Sequence, residues 1–134
     1  MCYRLIMLGL FNLFGRSDDL KALDQALREA GLHPRAVPEA VKLTTVRLLK
    51  EERGAGTRIT DAAWAGAAQL LGFCMLGPDQ FVASNSMHEA DDAERRAEAA
   101  IALGSGLDAN IMLLALNSGL ISAEVADWFD VETH

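Results

Sequence analysis

Between Ala62 and Leu76 this chain carries one polar side chain, Gln69, in fifteen consecutive positions. A run of that length exceeds an ordinary strand, and no alternation with a period of two occurs in it or elsewhere in the chain. It therefore reads as a helix that is apolar all round, and such a helix must be covered all round. Trp64, Leu70, Leu71, Phe73 and Leu76 supply bulk, while Ala63, Gly66, Ala67 and Ala68 let neighbouring helices come close. The fold class that follows is all-α: a compact bundle of about six helices around a buried central helix, 61–76.

Stop and start signals divide the rest of the chain. Ser17 is a suitable N-cap and Asp18 and Asp19 suit the positive end of a helix dipole, so a helix spans 17–30 with Leu20, Leu23, Leu27 and Ala30 facing inward. Gly31 then takes the left-handed stop position, with Leu32 folding back as its hydrophobic contact. Pro38 suits the first position of a helix over 38–53, whose inward face is Val41, Thr45, Leu48 and Leu49. Thr60 and Asp61 cap the central helix, Gly77-Pro78 ends it, and Pro78 opens a short segment over 78–84.

Ser86-Met87-His88-Glu89 has the pattern of a capping box and begins a helix over 87–103. Its inward stripe is Ala90, Ala93, Ala97 and Ile101, and Asp91–Arg95 and Asp92–Arg96 are spaced as i,i+4 ion pairs. After Gly104-Ser105-Gly106, Asp108 caps a largely buried segment over 108–118. Gly119-Leu120 repeats the stop seen at Gly31-Leu32, and Ser122 caps a last helix over 122–130.

With 134 residues, 51% of them hydrophobic, residues 17–134 suffice for one helical domain with its own core. Residues 1–16 form a separate apolar N-terminal segment. Its run Leu5–Phe14 is too short to span a bilayer, which needs about 20 residues, and no small-residue cleavage site follows it. The two cysteines, Cys2 and Cys74, have no bridge or metal spacing. Together these features point to a protein of the bacterial cytoplasmic type, with no membrane span.

Charge is polarised along the chain. Residues 1–58 hold ten Lys and Arg against seven Asp and Glu, whereas residues 59–134 hold two against twelve, within a net charge of −7. Lys42, Arg47, Lys50, Arg53 and Arg58 gather the positive charge on and after the second helix. That face could meet phosphate, but the overall acidity and the apolar helix that follows count against nucleic acid. A solvated helix face, paired with the acidic helix at 87–103, is the plainer account.

Chemistry is sparse. His88 and Asp92 stand one turn apart with Asp91 beside them, a spacing that could contribute to a divalent metal site, although acidic residues in a first helical turn also serve the dipole. Trp64, Phe81 and Trp128 could line a pocket with Asn85, Ser86 and His88, giving a small-molecule binder or enzyme. Cys74, among Phe73, Met75 and Leu76, reads as a buried and unreactive thiol. No motif assigns catalytic residues or calls for a cofactor.

The feature most in need of a partner is the N-terminal run. Exposed on a monomer, Leu8, Leu10, Phe11, Leu13 and Phe14 would form an unusual apolar strip. The sequence therefore favours a small non-enzymatic helical protein acting through protein–protein contacts, with a second copy or another protein as partner. Residues 5–14 pack on their own domain, on that partner or at a membrane surface.

Overall fold

The computed structural model describes residues 18–54 and 58–133. They fold into six α-helices and one 3-10 turn, with no strand among them. In chain order these are α1 (Asp18–Glu29), the turn Pro34–Ala36, α2 (Glu39–Arg53), α3 (Asp61–Ser84), α4 (Met87–Leu103), α5 (Leu107–Asn117) and α6 (Ala123–Thr133). α3 is the axis: α1, α4, α5 and α6 all pack against it, and α2 closes the bundle by packing on α1 and α5. The all-α bundle around a central helix is thus the fold the chain adopts.

α3 takes the central place by composition, since Ala68, Leu70, Leu71, Phe73 and Cys74 are fully buried, Trp64 and Ala67 nearly so, and Gly72 is buried with them. It is not covered on every side, however: Ala62 and Ala65 are exposed, and Gly66 and Gln69 are half-buried. The helix breaks at Gly77, whose φ of 84° and ψ of 164° separate 61–76 from 78–84 as expected. Pro78 has no N–H for the carbonyl of Cys74 one turn earlier. The backbone N–H of Ser122 donates to that carbonyl instead, at 2.7 Å. A helix break is thereby converted into the joint that fixes the start of α6 to α3.

The glycine stops act as the sequence indicates. Leu32 N–H donates to Leu27 O and Gly31 N–H to Arg28 O, the paired bonds of a Schellman motif; Leu120 to Ala115 and Gly119 to Leu116 repeat it at the end of α5. Gly31 is the stricter of the two, because besides its φ of 88° a Cβ there would collide with the Ser84 side chain. Gly31→Ala is expected to lose about 2 kcal/mol or more, since the left-handed backbone alone costs an alanine roughly 1–2 kcal/mol. A urea titration reads this directly, and an unchanged midpoint would contradict it.

Several local expectations are refined. Pro38 is the N-cap of α2 rather than its first residue, and Thr44 and Thr45 accommodate their β-branched stretch by donating to Ala40 O and Val41 O, both at 2.8 Å. The capping box of α4 forms in full, with Glu89 N–H donating to Ser86 Oγ and Ser86 N–H to Glu89 Oε1. Ala100, not Ile101, completes the buried stripe Ala90-Ala93-Ala97, and Ile101 is half-buried. α5 starts at Gly106 as N-cap, so Asp108 lies in the first turn and its carboxylate is engaged elsewhere. One side of α5 is open: α3, α2 and α4 pack on the helix and leave Leu113 40% exposed. Ser17 lies outside the described residues.

No single described helix is long and apolar enough to cross a membrane. α4 and α5 meet at a sharp corner of 92° over Gly104–Gly106, and that corner shapes the surface around Leu103.

Candidate functional site

The polar residue that interrupts α3 shows where to look. Gln69 sits one turn after Gly66, on the edge of α3 that faces α4. Arg96, projecting from the middle of α4, donates through Nη1 to Gln69 Oε1 at 2.8 Å and to Gly66 O at 3.0 Å. Its Nη2 and Nε donate to the two carboxylate oxygens of Asp108 at 2.9 and 3.2 Å. The fork of one guanidinium thus clamps three helices, α3, α4 and α5, with a bidentate ion pair at its outer side. Arg96 is therefore not the surface partner of Asp92, as i,i+4 spacing suggests; the carboxylate of Asp92 accepts from Arg95 at 2.9 Å.

Arg96 and Asp108 also form one wall of an open depression at the α4–α5 corner. Ala99, Ala100, Leu103 and Leu107 supply its apolar lining. Leu103 is 73% exposed, the most exposed of the large apolar residues described. It is the last residue of α4, and the left-handed Gly104 that follows turns the chain away and leaves its side chain uncovered. The arrangement is an apolar projection beside a charge pair whose geometry is fixed from behind by Gln69 and Gly66.

A second hollow lies on the other side of Gln69, among α1, α3 and the start of α4. Asn85 stands at its edge, and its Nδ2 donates to Ala30 O at 2.9 Å and Phe81 O at 3.1 Å, tying the end of α1 to the end of α3.

Compared with protein-family models, curated proteins and solved structures, the chain has no match in any of the three.

The structure disperses the other residues singled out by sequence. Trp64 and Phe81 are buried in the core, and Trp128 packs against Phe73 with ring centroids 5.9 Å apart. Asn85 and Ser86 serve helix termini, and His88 is exposed on α4 beside Asp91, Glu94, Arg95 and Glu98. Among the described residues no three His, Cys, Asp or Glu side chains gather as a metal-binding group. His88, Asp91 and Asp92 therefore do not converge. Cys74 is buried, and desolvation pushes its thiol up to about 12 against a weak opposing pull from Arg96. Such a thiol is not a nucleophile near neutrality.

The basic face changes character. Lys42 is buried, 6% exposed, with its ammonium 3.0 Å from Asp24 of α1, and Lys50 reaches Asp19 of α1 at 2.9 Å. The partner of this face is thus the acidic side of α1, not the acidic α4. Arg47, Arg53 and Arg58 stay exposed. Leu8, Leu10, Phe11, Leu13 and Phe14 lie outside the described residues.

Sequence reasoning missed Arg96 and Leu103. Gln69 was the available signal for the first, because a lone polar group in an apolar helix needs a partner. For the second it was the position of a leucine directly before a helix-stopping glycine.

Proposed function

We propose that this chain is a non-enzymatic helical protein that works by protein–protein contact and self-associates through the α4–α5 corner. The observation that carries the reading is the exposure of Leu103 next to Ala99 and Leu107, beside the fixed Arg96–Asp108 pair. Desolvating one projecting leucine in a shaped apolar setting gives a contact its anchor, while the ion pair at the edge restricts orientation. The rigidity of the three-helix clamp limits the conformational cost of binding. A free, deeply buried thiol suits a reducing compartment, which supports a cytoplasmic setting.

Light scattering across a concentration series tests the proposal. The intact chain is expected to move from monomer to dimer by high micromolar concentration, and Leu103→Asp to hold it monomeric with unchanged helicity. A strict monomer throughout, or a dimer indifferent to Leu103→Asp, removes the reading.

A further inference from the structure

α1 to α5 close on one another. α1 packs on α2 and α3, α2 also on α5, and α3, α4 and α5 on each other, so each of these five has two or more helical neighbours. α6 stands outside that circuit and is laid on α3. α5, moreover, is finished before α6 begins: the bonds from Gly119 N–H to Leu116 O and from Leu120 N–H to Ala115 O close its end without any group of α6.

Among the described residues, α6 is held by fully buried Val125, by Trp128 packed on Phe73, and by Ser122 N–H donating to Cys74 O. The other bonds at its start are its own. Ser122 Oγ accepts from Val125 N–H at 3.3 Å and Ser122 O from Ala126 N–H at 2.9 Å, so both travel with the helix if it moves. We propose that α6 is a releasable strap: together with Ser122 it lifts from α3 as one unit, swinging on residues 118–121, while α1 to α5 stay folded. Release exchanges the main-chain bond at Cys74 for water and takes Trp128 off Phe73, which uncovers part of that ring. Opening any other helix breaks its packing on at least two neighbours. Elements with fewer cross-contacts open at lower free energy than the core, and they do so as cooperative units.

Native-state hydrogen exchange of the full-length chain, followed amide by amide, tests this. Ser122 and Ala126 to Trp128 are expected to share one opening constant, at least about tenfold larger than that of α3 from Leu70 to Cys74. Val125→Ala should raise the shared constant by a further factor of about ten and leave the amides of α1 to α5 unchanged. Three results overturn the proposal. One is a gradient that rises towards Thr133 while Ser122 stays as protected as α3, which is fraying of a chain end. Another is a single constant for α6 and α3, and the third is a Val125→Ala variant in which all six helices exchange faster together; in both, α6 leaves only on global unfolding. None of these readouts involves the α4–α5 corner, so they stand apart from the light-scattering result for Leu103→Asp.

Discussion

Replacing Phe73 by alanine lowers the unfolding free energy by about 3–5 kcal/mol, the range for a fully buried aromatic removed from a packed core. Phe73 has no exposed surface and meets Phe81 edge-on, with centroids 5.7 Å apart and planes at 81°. It also touches Trp128 of α6. One ring thus joins the two halves of the broken α3 to the last helix. Against a typical domain stability of roughly 5–15 kcal/mol, its loss leaves a marginal fold. The urea midpoint should drop sharply in Phe73→Ala, and Phe73→Leu should recover much of the loss by refilling volume. A loss below about 1 kcal/mol, less than the transfer of the ring alone accounts for, would show that this is not the centre of the core.

Lys42→Met is expected to cost about 3 kcal/mol or more, because it removes one partner of a buried ion pair. The pair is 3.0 Å apart, with side chains only 7% and 14% exposed, so water offers little compensation. The double substitution Lys42→Met with Asp24→Leu should return most of that stability, since a buried pair replaced whole by apolar groups is often neutral or better. Denaturation of the two single variants and the double variant yields the coupling energy. Additive losses would mean that the ammonium and carboxylate act independently and that this pair does not hold α1 to α2.

These two sites mark where sequence reasoning is strong and where it stops. Phe73 lies in the run that announced the central helix, and its burial follows from that run's composition. The breaks at Gly31, Gly77, Gly104 and Gly119 and the capping box at Ser86 were legible for the same reason: each is written in neighbouring residues by steric and hydrogen-bonding rules of short range. Lys42 is different. Its sequence neighbours place it in a basic cluster, and only the approach of α1 brings Asp24 alongside. Arg96 fails in the same way, for a local rule offers it Asp92 while the fold offers Asp108, Gln69 and a backbone carbonyl at once. Long side chains reach beyond the turn that carries them, so their partners are a property of packing and not of spacing. The proposed contact surface inherits this difficulty, because Leu103 looks like any other apolar helix residue until the corner is built.

The substitution of Ser122 N–H for the missing donor at Pro78 has a consequence for how this protein can vary. The joint is main chain to main chain, so any residue except proline can supply the hydrogen at position 122. The bond itself therefore puts no demand on the side chain at 122, whereas the Gly77-Pro78 step that exposes the carbonyl is required; what restricts position 122 is the cap, its Oγ accepting from Val125 N–H at 3.3 Å. Among homologous chains, a covarying pair is not the trace this attachment leaves; its trace is one invariant Gly-Pro dipeptide opposite a position that excludes proline and favours helix-capping residues.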